Sequence, residues 1–110
     1  MEDHLEREIH GLHANLCSAL ADPKRLMILY TLSEGPQNVG DLALRLNLPQ
    51  PTTSRHLKVL RDRGLVSHER SGGTVIYSLT DARVIEALDL LRSVLRDIYD
   101  RAAAVVNRAD

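Results

Sequence analysis

Two groups of residues in this chain have the side chains and spacing that recognition chemistry needs. The first is the run Gln50, Thr52, Thr53, Ser54, Arg55 and Lys58. An arginine can bond the O6/N7 edge of guanine through two parallel hydrogen bonds, and a glutamine can do the same at adenine. Hydroxyls and ammonium groups bind bases or phosphates. The second group is Glu6, His10, His13 and Cys17, at i, i+4, i+7 and i+11. On one α-helix this makes a ladder of carboxylate, imidazole and thiol donors of the kind soft and borderline metals accept together. A plainer reading makes Cys17 a small buried hydrophobe and the histidines the edge of a half-buried helix.

Helices position both groups. Leu5, Ile9, Leu12, Leu16 and Leu20 form one helical stripe ending near Ala21. Asp22 then reads as an N-cap with Pro23 at the first helical position, opening a helix that carries Leu26, Leu29 and Leu32 and stops at Gly35-Pro36. A short third helix runs from an Asn38 cap through Val39, Leu42, Ala43 and Leu46 to Asn47. Only Leu48 and Pro49 separate it from a fourth, with Thr53, Leu57 and Leu60 on its inward row and an end at Gly64. Two short helices joined so tightly form a helix-turn-helix pattern, about residues 38–63, which offers its second helix to the major groove.

After Gly64 the period changes. Leu65 to Arg70 and Thr74 to Leu79 read as strands joined through Ser71-Gly72-Gly73, a hairpin or wing over about 65–79. From Thr80 or Asp81 a last helix carries Val84, Leu88, Leu91, Leu95, Ile98, Ala102 and Val105. That stripe is too long for one small domain to cover, so a second copy is its natural cover. The expected fold is mainly α with a small β-hairpin: one winged helix-turn-helix domain over 1–110, its last helix, about 81–106, covered by a second copy. Candidate groove contacts are Gln50, Thr52, Thr53, Ser54, Arg55 and Lys58, with Ser71, Gly72 and Thr74 at the wing tip. Thr53 thus counts in both the inward row and the contact set.

Composition agrees with a globular chain: 110 residues, 44% hydrophobic and 26% charged. The net charge of −1 conceals an uneven distribution. Residues 55–70 carry Arg55, Lys58, Arg61, Arg63 and Arg70 against Asp62 and Glu69, while residues 1–20 set Glu2, Asp3, Glu6 and Glu8 against Arg7. No apolar run approaches the roughly 20 residues of a membrane span, the amino terminus is acidic, and the single cysteine cannot form an internal disulfide. A cytoplasmic protein with no membrane partner is expected. There is no phosphate-binding glycine loop and no nucleophile with a base at motif spacing, so an enzyme is not expected. Asp89, Asp97 and Asp100, interleaved with Arg92, Arg96 and Arg101, read as an exposed, mutually paired face. His56 reads as a packing or phosphate residue and His68 as exposed.

The segments Ala19-Leu-Ala-Asp-Pro-Lys-Arg25, Gln50-Pro-Thr-Thr-Ser-Arg-His-Leu-Lys-Val-Leu60, Gly64-Leu-Val66 and Val75-Ile-Tyr-Ser-Leu79, in that order, resemble the ArsR/SmtB family of winged helix-turn-helix repressors. The resemblance implies a homodimer built on the first and last helices, about 2–20 and 81–106, bound to double-stranded operator DNA at an imperfect inverted repeat and released by an inducer. It places Gln50, Thr52, Ser54 and Arg55 at groove-facing positions and Ser71 to Thr74 at the wing tip.

The chain also departs from that family. Pro49 stands where a capping serine is usual, leaving Gln50 or Thr52 to cap, and the wing tip Gly72-Gly73-Thr74 lacks the arginine common in relatives. Asn38 and Gly40 replace the cysteine pair of one metal site. At another, Asp81 matches the acid, but Arg83, Val94 and Asp97 replace histidines. With Cys17 alone, an internal redox disulfide is excluded. No cofactor is assigned, the metal ladder at Glu6, His10, His13 and Cys17 being the one candidate. A constitutive repressor without a sensor, or a winged-helix module for protein contact, are the alternative readings; the basic Arg55 and Lys58 weigh against the last.

Overall fold

The computed structural model describes residues 2–109. Helix α1 is built from three contiguous pieces: α-helical Asp3–Gly11, π-helical Leu12–Cys17 and a final α-turn Ser18–Leu20. It is followed by α2 (Pro23–Ser33), β1 (Gln37–Asn38), α3 (Val39–Leu46), α4 (Gln50–Asp62), β2 (Val66–Ser71), β3 (Thr74–Leu79) and α5 (Arg83–Ala109). The expected helices and hairpin are all present. Two features were not foreseen: the π segment in α1, and strand β1, which pairs with β3 to make a three-stranded antiparallel sheet ordered β1-β3-β2.

Local chemistry sets the boundaries. The Asp22 carboxylate accepts the Lys24 and Arg25 amides (2.8 and 3.3 Å) that open α2, and Pro23 removes a third unpaired donor. Asn38 caps α3 by accepting from the Asp41 amide at 2.8 Å, and Asn47 ends that helix in the left-handed region (φ 54°). Asp81 opens α5 by accepting from the Arg83 amide at 2.9 Å. The hairpin turns through Gly72-Gly73, both at positive φ (57° and 87°), between the paired residues Ser71 and Thr74. A two-residue turn of this hand follows the right-handed twist of the strands, and side chains would strain it.

The cap expected of Gln50 or Thr52 does not form: α4 opens after Pro49 with no side-chain cap bond. Pro51, near the start of the helix, has no amide to leave unpaired, so the missing cap costs less than it otherwise would. At the far end the Leu65 amide reaches back to the Leu60 carbonyl (2.9 Å) as Gly64 turns at φ 78°.

One core joins these elements. Ile28, Leu29 and Leu32 of α2, Leu42 of α3, Leu57 and Leu60 of α4, Leu65 and Val66 of the wing and Leu88 of α5 are buried together with Ala19. Beyond Leu88 the last helix leaves the core, so Leu91, Leu95 and Ile98 are exposed, as are Leu5, Ile9 and Leu12 on the outer half of α1. The radius of gyration is 17.5 Å, against about 13 Å for a compact chain of this length. The two outer helices project from the domain and carry apolar rows into open space.

Asp22→Ala, which deletes two capping bonds at the start of α2, is expected to lower unfolding stability by about 1 kcal/mol. Urea denaturation with an unchanged m-value measures it.

Candidate nucleic-acid interface

Helix α4 has a dry side and a wet side, and the dry side determines the wet one. Thr53, Leu57 and Leu60 are wholly buried at 0% exposure against α2 and α3. A helix held along i, i+4 and i+7 cannot rotate, so the residues between project outward. Gln50, Ser54, Arg55 and Lys58 are exposed there and Thr52 is half-buried. Thr53 is corrected by this geometry: its Oγ1 donates to the Pro49 carbonyl (3.0 Å) inside the core, so it supports the helix from beneath.

Arg55 is steadied by its own helix, with Nη2 donating to Thr52 Oγ1 at 3.2 Å. Lys58 pairs with Asp62 at 2.9 Å, and that ammonium holds the Asp62 carboxyl below its ordinary range. Arg55 is therefore presented with most of its donors free, while Lys58 must exchange a carboxylate for any phosphate it meets. At the wing, Ser71, Gly72 and Thr74 are exposed as expected. Arg70 is exposed one residue pair below the turn, opposite Val75. Its place at the end of a period-two strand was the available signal. His68 is exposed, stacks on Tyr77 across the hairpin at 5.7 Å between ring centres and lies 3.5 Å from Arg61.

Polar ties join this face to α1. Arg25 Nε donates to the Ala19 carbonyl (2.6 Å) and Nη2 to that of Ser18 (3.3 Å), while Nη1 lies 3.4 Å from His56 Nδ1. Arg63, just past α4, donates to the Asn15 side-chain oxygen at 3.1 Å. Neither arginine was singled out in the sequence, because the partners are distant along the chain.

The donor ladder on α1 is reshaped by the π segment. A turn closed i→i+5, as from the Ser18 amide to the His13 carbonyl, rotates less per residue than an α-turn, so the α-helical spacing that would align His13 and Cys17 with Glu6 and His10 is broken. Glu6 and His10 approach to 4.0 Å. Among the described residues no group of three His, Cys, Asp or Glu side chains could hold a metal ion. Cys17 is exposed, contrary to its plainer reading as a buried hydrophobe. It lines an open groove of about 340 Å³ with Leu20, Leu26, Leu88, Leu91 and Leu95.

At the head of α5, Arg83 grips both oxygens of Asp81 (2.8 to 3.2 Å), holding that carboxyl down at about 2. The acid face of α5 is less paired than expected. Asp89 bonds Arg92 at 3.3 Å but also accepts the Tyr30 hydroxyl of α2 at 2.6 Å, and Arg92 lies over the Tyr30 ring. Arg101 donates to the backbone carbonyl of Asp97 rather than to a carboxylate.

Several known proteins share this chain's pattern. Residues 22–68 match the family described as bacterial regulatory protein, arsR family. The chain is 46% identical over 76 residues to the HTH-type transcriptional regulator NmtR of Mycobacterium tuberculosis, a match spanning 69% of this chain and 63% of that protein. It is 38% identical over 81 residues to the biofilm growth-associated repressor of Xylella fastidiosa, covering 74% of this chain and 71% of that protein. The solution structure of the homodimeric winged helix-turn-helix DNA-binding domain Mb0332 from Mycobacterium bovis superposes with a TM-score of 0.76 at 26% identity, covering 92% of this chain and 93% of that one.

Because the π segment separates the ladder, Zn(II) and Cd(II) uptake are expected to be equal in wild type and a His13→Ala, Cys17→Ser variant. Equilibrium dialysis reads this, and uptake lost in the variant would restore the ladder as a site.

Proposed function

This chain belongs to the arsR family of bacterial regulatory proteins, and from that premise we propose that it is a transcriptional repressor, acting in the cytoplasm, that binds operator DNA as a homodimer. The observation that carries the reading is the two-sided character of α4, a helix locked by a buried row and presenting Gln50, Ser54, Arg55 and Lys58 to solvent. In a helix-turn-helix protein this helix enters the major groove with its first turns at the base edges. Arg55 is the strongest base reader of the set, Gln50, Thr52 and Ser54 add contacts in the first turns, and Lys58 meets phosphate. Ser71, Gly72 and Thr74, with Arg70 behind them, lie along the flanking backbone. A repressor of this design needs no catalytic group, and none is assigned.

The dimer is supported by the exposed apolar rows. Leu91 is 63% exposed and Ile98 50%, continuous along α5 with Leu95 and matched by Leu5, Ile9 and Leu12 on α1. Burying one Leu or Ile side chain contributes about 1.5–3 kcal/mol, so two copies covering these rows recover what the isolated chain leaves in water. The proposed site is an inverted repeat, since a two-fold dimer presents two copies of α4 about one turn of DNA apart. An inducer would release the DNA by shifting the α1–α5 interface and with it the spacing of the two α4 helices. No metal is assigned to that role, because Asp81 is already held by Arg83 and the α1 ladder is spread by its π turn.

Selection of duplexes from random-sequence DNA by the purified protein tests the reading. Enrichment of an inverted repeat with half-sites about 10 bp apart is expected, and no enrichment over input would refute it. On the selected duplex, Arg55→Ala is expected to cost about 1–3 kcal/mol and relax preference at one base position in each half-site. Lys58→Ala is expected to weaken binding evenly across sequences and reduce the salt slope by about 1. A Leu95→Glu, Ile98→Glu variant is expected to sediment as a monomer with its helix content retained, and to bind about 100-fold more weakly because each half-site is then engaged alone.

A further inference from the structure

Arg25 stands where three helices meet. Its side chain, only 16% exposed, closes the end of α1 by donating to the Ser18 and Ala19 carbonyls, two of the acceptors a helix terminus leaves free. Its remaining guanidinium nitrogen, Nη1, lies 3.4 Å from His56 Nδ1 on α4 and 3.9 Å from Asp22 Oδ2. A guanidinium only donates, so Nδ1 of His56 must accept, and that requires the neutral ring with its proton on Nε2. A second proton on His56 turns the hydrogen bond into two cations facing each other.

We infer that Arg25 and His56 are positioning residues for DNA binding: their contact fixes where α4, already locked about its own axis by its buried row, sits against the end of α1, and operator affinity falls when His56 takes up a proton. The inference rests on the DNA-binding role proposed above for α4.

The surroundings of His56 are consistent with this. Burial is the largest influence, and it pushes the imidazole below its ordinary value of 6.5. The charged groups facing it are Asp22 at the head of α2, which favours the proton, and Arg25 and Lys24 of α2 with Arg55 of α4 itself, which oppose it. The α1 groups at this junction are the uncharged Ser18 and Ala19 carbonyls, bound through Arg25. The ring is therefore neutral in the folded protein at and above its ordinary value, and the contact is lost as pH falls through the lowered one. Such linkage favours the tied conformation at neutral pH and weakens it in acid.

A phosphate-binding histidine would behave in the opposite way, because its protonation adds a positive charge beside DNA and tightens binding. The sign of the pH dependence therefore separates the two roles. The substitution His56→Asn places a side-chain amide oxygen near the position of Nδ1 and stays neutral, so it preserves an acceptor without a titration.

Binding to the selected duplex is to be measured by fluorescence anisotropy at fixed ionic strength from about pH 8 to about pH 5.5, across the range in which a histidine titrates. Wild type is expected to lose about tenfold more affinity than His56→Asn over this range, the effect of a shift of one pKa unit on binding. Every other ionisable group is common to both proteins and drops out of the difference. Equal pH profiles, or tighter wild-type binding in acid, would overturn the inference.

A DNA-free measurement covers a variant that fails to fold. In wild-type protein, the NMR resonance of the Arg25 Nε–H group is expected to move with the titration of the His56 ring, and an Arg25 resonance indifferent to His56 would contradict the contact. If wild type selects no DNA at any pH, the proposed function fails and this resonance still reports on the contact.

Discussion

The buried row Thr53, Leu57 and Leu60 beneath α4 is the constraint on which the other features depend. All three are at 0% exposure, and Leu57 and Leu60 share one core with Ile28 and Leu29 of α2 and Leu42 of α3. Truncating a leucine in such a position to alanine typically costs about 2–5 kcal/mol, a large part of the stability of a small domain. A helix anchored this firmly has no rotational freedom, so its outward side chains are arranged before any DNA arrives. Pre-arrangement matters because each flexible side chain ordered on binding subtracts from affinity. Arg55, bonded to Thr52 within its own helix, has part of that cost met in the free protein.

The same core explains why the chain alone is unfinished. It has room for the inner ends of α1 and α5, where Ala19 and Leu88 are buried, and none for the rows that continue along both helices. Apart from Met27 and Leu44, the large apolar side chains left exposed among the described residues lie on two helices that project from the domain rather than being scattered, as on an ordinary surface. The polar ties then acquire a purpose. Arg25 of α2 bonds both the end of α1 and His56 of α4, and Arg63, just past α4, bonds Asn15 of α1, so each links the helix that carries part of the exposed row to the helix with the basic face. The two surfaces are thus connected through few side chains, and the π segment that contains Asn15 carries one of the links.

Much of this was legible in the residues wherever a local rule governs. Asp22-Pro23, Asn38, Asn47 and Gly72-Gly73 mark boundaries through capping and turn chemistry that depends on immediate neighbours, and the structure keeps each of them. Strand β1 was not legible because two residues have no period to detect. The π turn escaped notice because leucines at i, i+4 and i+7 read as α-helix whether or not one turn is widened. The ladder of Glu6, His10, His13 and Cys17 depended on that assumption and spread apart with it. Thr53 was misplaced among the contacts because polar chemistry was weighed above its position in the inward row. Arg25, Arg63 and the Tyr30–Asp89–Arg92 cluster depend on tertiary neighbours 31 to 59 residues away, which no spacing rule announces.

The central claim is that the outward face of α4 enters the major groove twice, once from each copy. It is tested most directly by placing a cleaving iron chelate on that face, through Ser54→Cys in a Cys17→Ser background, and mapping the breaks along a bound duplex. The account predicts two clusters of cleavage centred in successive major grooves, about 10 bp apart and symmetric about the centre of the repeat. Breaks spread evenly along the duplex, or confined to a single site while the wing protects the other groove, would contradict it.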